Sequence, residues 1–172
     1  MVKLEPTVAR ERRRERRAHA DYTGGVYGSL LAATVLIGAD ALGDFPRVQV
    51  VALLLLSGVA FWIAHVHAQL FGEHLAQHPL DRRTVLHVCR DEWPIVKAAV
   101  PPAVAVAVSP LLGLDVPGTL WLALGVSLAG LVGWSLAAAK RAGASARLLV
   151  LTALVNLLLG LLIISFKLFV KH

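Results

Sequence analysis

Of the 172 residues, 57% are hydrophobic and 16% charged, against roughly 25% charged in an average soluble domain, and the mean hydropathy is +0.69. The apolar residues come in long uncharged blocks, which excludes an ordinary water-soluble core and makes lipid the solvent of this chain. Lysine and arginine outnumber aspartate and glutamate by 17 to 11, and the single cysteine, Cys89, excludes an intrachain disulfide and a thiolate metal cluster.

Met1 to Tyr22 is a basic arm carrying Lys3, Arg10, Arg12, Arg13, Arg14, Arg16 and Arg17. It precedes an apolar segment directly and has no interleaved aromatics, so its expected partner is the anionic lipid headgroup layer and not a nucleic acid. Each basic residue near such a surface contributes about 1 kcal/mol. The basic start, the apolar run from Val26 to Ile37 and the Ala39-Asp40-Ala41 triplet imitate a cleavable signal peptide. The long pre-apolar region counts against cleavage, and the expectation is that the first span is retained.

Uncharged runs of about 17 to 25 residues mark membrane helices. Five are present: about Thr23 to Leu42, Val48 to Phe71, Ile95 to Leu114, Pro117 to Ala139 and Ala146 to Val170. The expected fold is an all-α integral membrane protein with one helical membrane domain, 23–172, behind the arm 1–22. The stretches Gly43 to Pro46 and Leu114 to Gly118 read as tight turns. Basic residues orient the spans, since they are retained on the cytoplasmic side. With the N-terminus inside the cell membrane, the cytoplasmic segments hold the arm, then Arg82, Arg83 and Arg90, then Lys140, Arg141 and Arg147; Arg47, Lys167 and Lys171 lie outside. Lys97 falls near the inner boundary of the third span. The expected topology is N-in, C-out. Asp40, Asp44 and Lys167 are expected near the outer boundary, and Lys97 can snorkel to the inner one.

Between spans two and three, Pro79 and an Asp81 N-cap predict a short cytoplasmic amphipathic helix. Its apolar face is expected to hold Leu80, Val85, Leu86 and Val88, and its wet face Arg82, Arg83, Arg90, Asp91 and Glu92, with Trp93 at the interface.

The run Phe61-Trp62-Ile63-Ala64-His65-Val66-His67 is followed by His74 and His78. At about 100° per residue, His67, His74 and His78 share a helical stripe and His65 points away. Interfacial, solvated histidines are the plain reading of that stripe. A pH-responsive cluster or a divalent metal site is open beside it, since imidazole titrates near neutrality and ligates metals. Two turns between His67 and His74 span about 10 Å, too far for one ion without a ligand from elsewhere.

In the third span Pro101 and Pro102 deprive the carbonyls four residues before them of helical partners, so a kink or break is expected there. The freed carbonyls near Lys97 and Ala98 would then be possible ion ligands in a water-lined cavity. Two small-residue ridges, Gly24-Gly28-Ala32 in the first span and Gly125-Ala129-Gly133-Ala137 in the fourth, predict close helix packing within one chain or between chains. Asn156 is the deepest strong polar group, expected to bond a neighbouring helix or to line a pore. No nucleophile elbow, phosphate-cradling loop or His-Glu-x-x-His is present, so neither an enzyme nor a cofactor protein is expected.

Thr23-Gly24-Gly25-Val26-Tyr27, with Phe61-Trp62-Ile63-Ala64-His65, resembles the endolysosomal potassium channel family (transmembrane protein 175 family) and its bacterial relatives. That family opens its first span with a Phe-Ser-Asp-Gly-Val-Phe type motif and carries a Trp and His pair in the second. Thr23 matches the motif serine, Gly25 its glycine, Val26 its valine, Tyr27 its second aromatic and His65 its histidine. Gly24 stands where the family has its Asp, and five spans are counted where each repeat of the family has six. The resemblance implies a cation pore built by several subunits around the first span, with Leu30, Thr34 and Ile37 as candidate lining; Trp62 and His65 are further pore or gating candidates, and the lack of a carboxylate, histidine or lysine near the midplane of the spans speaks against a proton-coupled transporter. Two expectations follow: a homo-oligomeric passive channel for monovalent cations, or a non-conducting membrane interaction protein. A metal-binding or pH-sensing role through the span-two histidines stands third.

Overall fold

The computed structural model describes residues 6–43, 45–75 and 81–170, with side chains described within 22–43, 45–72 and 81–169. The described residues form α1 (Pro6–Leu42), α2 (Arg47–Leu75), α3 (Arg82–Asp91), α4 (Pro94–Val108), a 3-10 turn at Ser109–Leu112, α5 (Val116–Arg141) and α6 (Ala146–Val170). Five stretches are long and apolar enough to cross a membrane: Tyr22–Leu42, Arg47–Gly72, Arg82–Leu112, Val116–Arg141 and Ala146–Phe169. They coincide with the five spans read from the sequence, the third lengthened by α3.

α1 is packed by α5, α4 and α2 and touches α6. Its Ala32, Ala33, Leu36 and Ile37 meet Val50 and Leu54 of α2, Ala103 and Val106 of α4, and Leu120, Ala123 and Leu124 of α5. Lipid tails are as apolar as leucine, so close van der Waals fit and not burial from water holds this core. The α1 ridge supplies that fit. A Cβ on Gly24 would stand 3.1 Å from Pro94, and one on Gly28 would stand 2.7 Å from both Ala98 and the Ile95 carbonyl, while Gly25 lies under the Trp134 ring. α1 and α4 can therefore approach only with glycine at these positions.

Helix ends follow local chemistry. Asp115 caps α5 by accepting from the Gly118 N–H at 2.8 Å, relieving an orphan amide of the first turn. Gly113 and Gly143 close the preceding helices with φ of 67° and 69°, a left-handed conformation that glycine adopts without a steric penalty.

α4 does not break at Pro101 and Pro102: both lie inside one helix, since the proline φ of about −65° is itself helical. The helix gives way later, at Ser109, where it tightens to 3-10 and the Ser109 hydroxyl donates to the Val106 carbonyl at 2.8 Å. α1 runs from Pro6 through the basic arm to Leu42 without interruption. Leu86 is on the exposed side of α3 at 69%, beside exposed Arg82, Arg83 and Arg90, whereas Asp91 and Glu92 are half-buried. Asp81 occupies the N-cap of α3, but its side chain makes no capping hydrogen bond.

Candidate functional site: polar contacts inside the helix bundle

α6 is the least enclosed of the five stretches, yet its polar residues point inward. Asn156, Gly160 and Lys167 are buried, and their spacings of four and seven place them on one helical face. On α1, Asp40 continues the face of Ala33 and Leu36 by the same periodicity, which aims its carboxylate into the bundle. The two meet: Lys167 Nζ lies 3.5 Å from Asp40 Oδ2, with side-chain exposures of 3% and 12%. Nζ also sits 4.2 Å from the centroid of the Trp121 ring of α5, on the negative face that attracts a cation. Three helices thus converge on one ammonium group. Both charges lie near span ends, and their side chains meet one another inside the bundle.

At the same end Arg47 donates from Nη2 to the Leu114 carbonyl at 2.6 Å and from Nε to Thr119 Oγ1 at 3.4 Å. The Thr119 hydroxyl lies 2.7 Å from the Asp115 carbonyl and 2.8 Å from Ser109 Oγ. The start of α2 is thereby tied to the turn between α4 and α5. Half-way along α6, the Ser135 hydroxyl donates to Asn156 Oδ1 at 3.1 Å, and Asn156 Nδ2 donates to the Thr152 carbonyl at 2.8 Å. Asn156 therefore bonds a neighbouring helix. Such bonds contribute about 0.6 to 2 kcal/mol in membranes, so Asn156→Leu should lower the unfolding free energy in detergent by that amount, measured by denaturant titration.

At the opposite end, Trp62 Nε1 donates to the Cys89 carbonyl at 2.9 Å, and its ring meets Trp93 edge-on at 5.4 Å. Gln69 donates to Glu92 at 3.3 Å. Together these contacts hold α3 to α2. His65 packs on Tyr27 of α1, centroids 5.0 Å apart, while exposed His67 lies 6.3 Å from Phe71 of its own helix. Arg141 stands 5.5 Å over the Tyr22 ring.

Of the residues implied as pore lining, Ile37 is in the core, Leu30 is half-buried, and Thr34 is exposed with its hydroxyl donating to the Leu30 carbonyl at 2.9 Å. The side chain of His74, the whole of His78, and the side chains of Arg12, Arg13, Arg14, Arg16 and Arg17 lie outside the described residues. Among the described residues no three His, Cys, Asp or Glu side chains are grouped to hold a metal ion. An apolar crevice between α1, α2 and α4, lined by Gly28, Ala32, Leu54, Gly58, Phe61 and Ile95, has a volume of about 10 Å³, the room of one water.

The two glycine ridges part company. The α1 ridge is consumed inside the chain, but a Cβ on Gly125 or Gly133 would meet nothing within 4 Å, and Ala129 between them is exposed. The α5 ridge faces away from the bundle. Each charge of the Asp40–Lys167 pair sits near a span end, and the signal for their contact in the sequence is the helical register of Asp40 with Leu36, and of Lys167 with Asn156 and Gly160. Comparison with protein-family models, with curated proteins and with solved structures finds no match to this chain.

Proposed function

We propose that the chain is a multi-pass protein of the cell membrane, N-terminus cytoplasmic and C-terminus outside, that works by assembling with transmembrane helices, first of all with a second copy of itself. The observation that carries this reading is the outward α5 ridge of Gly125, Ala129 and Gly133, where a second backbone can come close. It gains support from the engagement of Ile37, Trp62, His65 and Asn156 within the chain, which leaves them occupied as packing residues. The basic arm, and the exposed α3 face of Arg82, Arg83, Leu86 and Arg90, form the cytoplasmic side and lean on anionic lipid.

Replacing Gly125 and Gly133 together with leucine should convert the oligomer to monomer in nanodiscs, read by native mass spectrometry, with the fold unchanged. A wild-type chain that is monomeric in nanodiscs would contradict the reading.

A passive channel for monovalent cations is the second reading, favoured by a different observation. Tyr27, Thr34, Gly38 and Ala41 form an exposed face of α1, which in a ring of subunits would line the axis. Potassium flux from reconstituted liposomes no faster than from empty ones removes it.

A further inference from the structure

The junction of α3 and α4 keeps a helical register. Glu92 and Trp93, which join the two helices, have φ and ψ of −88°, −6° and −57°, −28°, and the Glu92 and Lys97 N–H groups donate to the Val88 and Trp93 carbonyls at 3.0 and 3.3 Å. Spacings of three and four therefore continue to mark one face across the junction. Arg90, Trp93, Lys97, Val100 and Val104 follow one another at those spacings, and all five are exposed. Among the described residues neither Arg90 nor Lys97 is ion-paired. The Trp93 indole N–H makes no hydrogen bond there either, whereas that of Trp62 is spent on the Cys89 carbonyl.

Depth sorts these residues by chemistry. A tryptophan ring is favoured at the level of the lipid headgroups. By the helical rise, Arg90 lies about 4.5 Å on the water side of Trp93 and Lys97 about 6 Å on the lipid side. A lysine at that depth runs its stem along apolar surface and brings its ammonium back to the headgroup layer, so the two cations close on Trp93 from opposite sides. Val100 and Val104 continue the same face at the depth of the acyl chains. Two cations and an N–H donor thus stand directly above a strip of hydrocarbon surface.

We propose that this stripe seats one anionic phospholipid of the inner leaflet, its phosphate held between Arg90 and Lys97 at the Trp93 indole and an acyl chain laid along Val100 and Val104. The guanidinium offers paired N–H donors to two phosphate oxygens, and the ammonium supplies a point charge from the lipid side. A zwitterionic lipid fits less well, because its own cationic group leaves no net charge to set against Arg90 and Lys97. The proposal rests on the reading that this end of the bundle is cytoplasmic and leans on anionic lipid, and it gives that lipid a fixed seat.

The test places the full chain in nanodiscs of phosphatidylcholine and phosphatidylglycerol in equal amounts and counts, by native mass spectrometry, the lipid that stays on the chain when the disc is stripped. The wild-type chain should retain one phosphatidylglycerol per chain in preference to phosphatidylcholine. Arg90→Gln and Lys97→Leu should each lower that preference about fivefold, with helical content by circular dichroism unchanged because both side chains are exposed. Lys97→Arg should keep the preference. Replacing Arg12, Arg13, Arg14, Arg16 and Arg17 of the arm with glutamine should leave the seated lipid in place. Equal retention of the two lipids by the wild-type chain overturns the proposal. So does a preference that survives the loss of both Arg90 and Lys97, or one that disappears with the arm variant. A C-terminal alkaline phosphatase fusion, active only outside the cell, reads the orientation separately: an inactive fusion overturns the inner-leaflet placing, while the lipid count decides the seat itself.

Discussion

Asp40→Asn should destabilise the folded bundle by about 3 to 5 kcal/mol, the usual cost of removing one member of a buried ion pair. For a domain of this size that is a fall in melting temperature of about 6 to 20 °C in detergent, followed by circular dichroism. The magnitude comes from the asymmetry between breaking a pair and deleting it. With Asp40 neutralised, the Lys167 ammonium stays inside the bundle at 3% exposure and loses the carboxylate 3.5 Å away. Deleting both charges removes the problem, so Asp40→Asn with Lys167→Leu should recover most of the loss, because a well-packed apolar replacement of a buried pair is often neutral. A melting temperature unmoved by Asp40→Asn would show that the Asp40 carboxylate does not hold Lys167 in the bundle.

The second large effect is expected at Gly28. A valine there brings its Cβ to 2.7 Å from Ala98 Cβ and from the Ile95 carbonyl oxygen, inside any ordinary contact distance. Two helix backbones would have to separate, and neither obstacle is the free end of a flexible side chain. Overpacking of this kind costs about 1 to 3 kcal/mol or more, and the loss should appear as a lower midpoint in denaturant titration. Gly38→Ala is the control, since a Cβ there meets nothing within 4 Å; it should be neutral or slightly stabilising, as alanine is the better helix former. Equal effects at Gly28 and Gly38 would mean that α1 and α4 are not in contact.

The spans could be read from the sequence because an apolar run long enough to cross lipid is a one-dimensional property. Which face of each helix turns inward could not, and the reason is physical. α2, α5 and α6 are apolar nearly all round, so periodicity carries little information about their neighbours. The glycine ridges of α1 and α5 look alike in sequence, and it is the packing of Pro94, Ile95 and Ala98 against one of them that distinguishes the two. Counting residues from a span end places Asp40 and Lys167 in depth but says nothing of their azimuth, and it is the helical register that turns both toward the interior. Leu86, expected on the apolar face of α3, is exposed, while Val85 and Val88 are half-buried and the Cys89 carbonyl ties α3 to α2. Pro101 and Pro102 call for a kink or a break, and of the two the break is excluded, since losing two hydrogen bonds does not end a helix whose other neighbours hold it.

Assembly through α5 is the central claim, and cross-linking tests it in native membranes. With Cys89→Ser removing the single cysteine, a new cysteine at Ala129 of α5 is compared with one at exposed Leu158 of α6. Mild oxidation should join the Ala129→Cys chains into a covalent dimer and leave the Leu158→Cys chains monomeric. Dimers from the α6 position in place of the α5 position, or from neither, would contradict it.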